Sequence, residues 1–174
     1  MFYLLHIIIV SCFTHNVNVL AEFIEHHAKL ERDGEELLLC RKCGADVADS
    51  FYLFSKQSPG AQKIEKQNIF GRHNVTVQTL VNPFGVKFEV VTAEKARCDN
   101  IGPNQGADSW FPGYTWRICA CPYCGQHLGW TFEKTIHSSN EKPAKDTFHG
   151  LILTNVLGEN FTDSLIMMPK MYKM

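Results

Sequence analysis

Cys121-Pro122-Tyr123-Cys124-Gly125 repeats, far downstream, a pattern already present at Cys40-Arg41-Lys42-Cys43-Gly44. Each copy follows a short strand-like run, Leu37-Leu38-Leu39 in the first case and Tyr114–Ala120 in the second. A strand entering Cys-x-x-Cys-Gly makes a knuckle, in which glycine takes the tight backbone that other residues resist. Two knuckles supply four soft thiolates, the ligand set of tetrahedral structural zinc at about 2.3 Å per bond. Four protein ligands leave no open position, so the metal holds the fold and activates no water. Cys40, Cys43, Cys121 and Cys124 are therefore the expected zinc ligands. Two disulfides, or a redox Cys-x-x-Cys, are the competing readings in an oxidising compartment. A histidine in place of one cysteine is the further alternative, disfavoured while four cysteines are available, and local packing accounts for His127 after the second knuckle.

Working outward, the hydrophobic period is two. Val75 and Val77 alternate with Thr76 and Gln78, and Val86, Phe88 and Val90 alternate with Lys87 and Glu89. These are half-buried strands joined into a hairpin by the turn Asn82-Pro83-Phe84-Gly85. Further strands are expected at Tyr114–Ala120, Gly129–Glu133 and Gly150–Leu157. Residues 55–68 read as polar with a turn at Pro59-Gly60, residues 100–108 as a loop, and residues 134–147 as a charged connection. The expected fold is mainly β, antiparallel, in one domain spanning 37–157. Residues 22–36 form a charged, solvated lead-in, and residues 158–174 a flexible tail.

The chain has 174 residues, with 45% hydrophobic and 20% charged. That suits one globular domain with a full core. A net charge of -1 gives no basic field to draw it onto nucleic acid. Phe2–Phe13 is an apolar run too short to span a bilayer, followed by a polar stretch and Val19-Leu20-Ala21. This reads as residues 1–21 forming a signal peptide cleaved after Ala21, although no Lys or Arg precedes the run. A buried N-terminal element and an uncleaved anchor are the alternatives. The expected location is thus secreted, without stable membrane association. Asn74-Val75-Thr76 and Asn160-Phe161-Thr162 are N-glycosylation sequons usable in that pathway. Cys98 and Cys119 remain outside the knuckles; in an oxidising compartment they form a disulfide, against the alternative of two free buried thiols.

All three tryptophans fall between positions 110 and 130, around the second knuckle. Trp116 is on the strand entering it, Trp130 on the strand leaving it, and Trp110 on the preceding loop. Three indoles can wall a flat apolar box, and by residue type alone they can equally be core. The pattern Ser109-Trp110-Phe111-Pro112-Gly113-Tyr114-x-Trp116, then Cys121-x-x-Cys124 and His127-x-Gly129-Trp130-x-Phe132, resembles the CULT domain family, the thalidomide-binding domain type of cereblon. Asn82-Pro83-x-Gly85 and Cys40-x-x-Cys43 match in the same order, so the resemblance runs from about Leu37 to Leu157.

The resemblance implies a β-tent, two antiparallel sheets pinned by a structural zinc. It also implies a cage of Trp110, Trp116 and Trp130 with Phe132 at its base and Asn82 at its rim. The implied ligand is a cyclic imide, glutarimide- or uracil-like, including a cyclised peptide C-terminus, bonded by backbone groups near 108–110. Two positions depart from the pattern. Asp108 stands before Ser109 where cereblon has a histidine, and Phe84 replaces a histidine at the rim. An ionised Asp only accepts hydrogen bonds, and beside aromatic walls it favours a quaternary ammonium ligand. The Lon-like and ligase-adaptor-binding parts of cereblon are not matched, so no ubiquitin-ligase adaptor is expected as a partner. No catalytic residues are expected. A methionine sulfoxide reductase of the B type, sharing the fold, is the enzymatic alternative, and a structural domain with a vestigial cage is the third.

Overall fold

The computed structural model describes residues 35–135 and 147–166. The leader at 1–21, most of the lead-in, the connection at 136–146 and residues 167–174 lie outside them.

The first knuckle joins β1 (Leu37–Cys40) to β2 (Asp46–Asp49), and a 3-10 turn, Ser50–Tyr52, leads into β3 (Leu53–Phe54). There follow β4 (Lys63–Ile69), β5 (Arg72–Val81), β6 (Lys87–Ala93), β7 (Asp99–Gln105), β8 (Tyr114–Ala120), β9 (His127–Lys134) and β10 (Thr147–Ile152). A second 3-10 turn, Leu153–Asn155, precedes β11 (Val156–Gly158) and a helix, α1 (Glu159–Ile166). The small sheet has the order β11-β1-β2; the large one runs β4-β5-β6-β10-β9-β8-β7, with β3 paired to β6. Every pairing is antiparallel. The mainly β, two-sheet architecture is the expected one.

Two cores form, one on each face of the large sheet. Leu38 and Val47 of the small sheet pack with Val75, Val77, Val91, Cys119, Leu128 and Leu151. The other cluster gathers Leu80, Val90, Phe111, Trp130, Phe132, Phe148 and Ile152. Successive residues of a strand point to opposite faces, so Val90 and Val91, both 0% exposed, belong to different cores. The hairpin β5–β6 forms as expected, but its strands are buried on both faces over much of their length, not half-buried.

A bulge in β9 reverses the alternation where it matters. The register between β8 and β9 shifts after Cys119↔Gly129, and Ala120 meets His127. Leu128 thereby joins the core between the sheets, while Trp130 and Phe132 turn to the opposite face. Gly129 sits at φ 152, and a Cβ there would lie 1.9 Å from the Gly150 carbonyl oxygen. No other residue fits.

Four further sequence expectations are corrected. Strand β4 takes up the polar stretch 55–68 from Lys63 onward, and β7 the presumed loop 100–108 as far as Gln105. Both are edges of the large sheet. An edge strand exposed on both sides carries no apolar period, and its existence is decided by its pairing with β5 or β8. The expected flexible tail instead begins with the last residue of β11 and helix α1. Glu36, expected to be solvated, accepts from the Asn160 N–H at 2.7 Å and is tied twice to Ser50. A carboxylate at the start of α1 satisfies a backbone donor that the helix itself leaves unpaired.

Candidate functional site

The two knuckles are near copies. In the first, the Gly44 N–H donates to the Cys40 carbonyl at 2.8 Å and the Cys40 N–H to the Ala45 carbonyl at 2.8 Å. In the second, Gly125 donates to Cys121 at 2.9 Å and Cys121 to Gln126 at 2.8 Å. Gly44 at φ 74 and Gly125 at φ 70 take the left-handed conformation that closes each turn. Because one knuckle ends β1 and the other ends β8, the four sulfurs meet between the two sheets. Cys40 and Cys124 sulfurs are 3.7 Å apart, as are those of Cys43 and Cys121, and all four lie within 4.8 Å of one another. A tetrahedron with bonds of about 2.3 Å has edges of about 3.8 Å. The donor set and its spacing fit a structural zinc ion.

Backbone donors prepare these thiols unequally. The Gln126 N–H beside Cys124 draws its thiol down to about 7. The Ala45 N–H acts likewise on Cys43, but desolvation and the neighbouring cysteines push that thiol up to about 12. A cation bound by the four sulfurs displaces whatever protons they carry.

The cage lies on the opposite face of the large sheet from the small one. Trp110 and Trp130 meet edge to face, with ring centroids 4.6 Å apart at 76°. Phe88 supports both, at 6.1 Å from Trp110 and 5.0 Å from Trp130. Trp116 makes no ring contact with either among the described residues, and the gap is a cavity of about 240 Å³. Its lining is Trp110, Trp116, Trp130, Phe132, Asn82, Pro83, Phe84 and Asp108. Beneath it Phe132 packs on Phe111 and stacks on Phe148.

Hydrogen bonds lock the walls. The Trp110 indole N–H donates to the Val81 carbonyl and the Trp116 N–H to the Ala107 carbonyl, each at 2.8 Å. Both indoles therefore offer the cavity their faces and not their donors. The loop between β7 and β8 is fixed by Ser58, whose hydroxyl donates to the Trp110 carbonyl at 2.5 Å. Ser58 is held in turn by Gln78, 1% exposed, which accepts from the Ser58 N–H and donates to the Lys56 carbonyl. Sequence reading passed over this buried polar support, because Ser58 and Gln78 look like surface residues. Pro83 is the one lining residue it omitted.

At the rim, Asn82 Oδ1 accepts from the N–H groups of Phe84 and Val86, at 3.0 and 2.9 Å. Its Nδ2 donors make no hydrogen bond among the described residues. Phe84 is 89% exposed, so it edges the opening and forms no wall. Asp108 is exposed with φ 56, a left-handed conformation that Asp tolerates. Ser109 does not line the cavity: its hydroxyl donates to the Phe111 carbonyl at 3.1 Å and shapes the loop from inside. The Trp110 carbonyl is taken by Ser58, and the Ala107 carbonyl before the loop by the Trp116 indole.

Cys98 and Cys119 are bonded to each other across β7 and β8, with Cα atoms 5.0 Å apart. Asn74 and Asn160 are both exposed.

The Yippee-Mis18 model, described as Yippee zinc-binding/DNA-binding /Mis18, centromere assembly, matches residues 36–151. The chain belongs to the Yippee-Mis18 family. Within it the likeness is to the CULT-type domain of cereblon. Cereblon of Drosophila yakuba is 31% identical over 123 residues, covering 69% of this chain and 18% of the relative. Cereblon of Danio rerio is 36% identical over 94 residues, 52% of this chain and 22% of the relative. That of Gallus gallus is 34% identical over 97 residues, 54% and 22% respectively. The match therefore spans about a fifth of these relatives' length. The zinc-binding family and the four-cysteine cluster agree on a structural zinc.

Proposed function

We propose that the chain is a secreted ligand-binding module whose aromatic cage takes a thin, uncharged cyclic imide, glutarimide- or uracil-like, free or at a cyclised peptide C-terminus. The observation that carries this reading is the convergence of Trp110, Trp116, Trp130 and Phe132 on one cavity with pre-locked walls. Walls that need no rearrangement lower the ordering cost of binding. A flat ring presents its faces to the indoles, and the Asn82 amide donors stand ready at the rim for a ring carbonyl. Support for secretion comes from the apolar Phe2–Phe13 run and the two sequons. The zinc clasp fixes the sheets that carry the walls and takes no part in the ligand chemistry.

Binding without catalysis is favoured by the position of Cys119. A reductase of the B type needs a thiolate in the pocket, whereas Cys119 is bonded to Cys98 and packed in the core on the other face. Asp108 in the lining supports one second reading, a quaternary ammonium ligand held by cation–π contacts.

A fluorescence titration of the zinc-loaded protein with glutarimide, uracil and tetramethylammonium separates these readings. The imide reading expects saturable tryptophan quenching by an imide, weakened roughly 30-fold or more in Trp116→Ala. Response to tetramethylammonium alone, abolished in Asp108→Asn, transfers the cage to the second reading. No response to any of the three overturns both.

A further inference from the structure

Behind the cage, three ligating side chains converge that neither the clasp nor the cage uses. Cys119 on β8 is 0% exposed, Cys98 lies just before β7, and His149 is on β10. The β8–β9–β10 register places Arg117, Thr131 and His149 in one cross-strand row. Opposed residues share a face, so His149 points away from Trp130 and Phe132. Its Nδ1 lies 3.8 Å from the Cys98 sulfur, and the two sulfurs and the histidine nitrogen all fall within 4.8 Å of one another.

We propose that Cys98, Cys119 and His149 form a second metal site, for a soft closed-shell cation such as Zn²⁺ or Cu⁺, which opens when the Cys98–Cys119 disulfide is reduced. Two thiolates and an imidazole are ligands suited to both cations. For zinc bonds of about 2.3 Å to sulfur and about 2.0 Å to nitrogen, a tetrahedral S···N separation is about 3.5 Å. The observed 3.8 Å is close to that before any adjustment. Three ligands leave one position for water or another donor, which distinguishes this site from the closed four-cysteine clasp.

The surroundings hold the imidazole in place. Thr131 donates its one hydroxyl proton to Asn100 Oδ1 at 2.6 Å, so at 3.1 Å it accepts from His149 Nδ1–H. In the disulfide form, then, the ring proton is on Nδ1. Metal uptake moves that proton to Nε2 and exchanges the Thr131 hydrogen bond for a metal bond. The redox step balances with a phosphine as reductant. Phosphorus attacks one sulfur and the S–S bond breaks. With water the phosphine becomes its oxide, leaving two thiols whose protons the cation displaces.

The test compares metal content of the full chain, oxidised and phosphine-reduced, under argon with the reductant removed. Zn²⁺ is counted by a chromophoric chelator, and Co²⁺ serves as the spectroscopic probe. The expected result is one equivalent per chain when oxidised and two when reduced, with the second Co²⁺ showing weaker thiolate charge transfer than the clasp. Under reduction, Cys98→Ser and His149→Ala each return to one equivalent, and the remaining tetrathiolate band shows that the fold is intact. A single equivalent in the reduced protein overturns the site. So does a second equivalent that persists in either variant.

Discussion

At the scale of single residues, Gly129 and His149 show how position fixes identity. Gly129 is the point at which β9 passes so near β10 that a side-chain carbon would overlap the Gly150 carbonyl. Gly129→Ala forces that contact open and disturbs the bulge that separates Leu128 from Trp130. We expect a loss on the order of 4 kcal/mol, read as a lowered denaturation midpoint with zinc present. His149 behaves differently, because burial drives its imidazole down to about 4 from the usual 6.5. The folded disulfide form thus binds fewer protons than the unfolded chain between these values. Its contribution is present in full above about 6.5 and is lost as pH falls towards 4, on the order of 3 kcal/mol at most. Denaturation curves from pH 7 to 4 should steepen this loss in the wild type relative to His149→Gln. Parallel curves for the two would show that His149 is not the group responsible.

At the scale of elements, β7 is the weakest part of the site's support. All its residues are exposed, its register with β8 shifts between Ile101 and Gln105, and it has no partner on its outer side among the described residues. Yet it leads directly into the loop that carries Asp108 and Trp110. The Cys98–Cys119 bond anchors the root of this strand with a sequence separation of 21. Closing a loop of that length removes unfolded-state entropy amounting to about 3 kcal/mol. Reduction, or Cys98→Ser, should lower stability by about that much. Hydrogen exchange should quicken first in β7 and the loop after it. Uniform quickening across both sheets would show instead that the bond holds the whole domain. The hairpin tip between β5 and β6 is the firmer rim, since Asn82 closes it with two backbone hydrogen bonds.

At the scale of the whole molecule, the clasp joins two sheets that otherwise share one apolar core. Knuckle one belongs to the small sheet and knuckle two to the large one. The Asn155 amide reinforces the junction by donating to the His127 carbonyl at 2.8 Å. Removing the metal leaves four cysteine sulfurs crowded within 4.8 Å of one another. A strong chelator should therefore abolish cooperative unfolding, and Zn²⁺ should restore it. Near-ultraviolet circular dichroism follows both changes through the tryptophans. Full retention of that signal without metal would mean that the cores alone suffice.

Sequence by itself determined the clasp, because Cys-x-x-Cys-Gly encodes its turn locally: spacing and one left-handed glycine are enough. It also determined the central strands β5, β6, β8 and β9, whose apolar residues have to find a core whatever their neighbours. The aromatic cage was legible only as a set of residue types together with a family resemblance, since indoles serve equally as packing. Tertiary structure alone decided the rest. Edge strands β4 and β7 exist because a neighbour pairs with them, not because their own residues demand it. Ser58 and Gln78 become the buried brace of the Trp110 loop only once β5 lies beneath it. His149 meets Cys98 across strands 51 residues apart in sequence, a proximity set by register that no local pattern records.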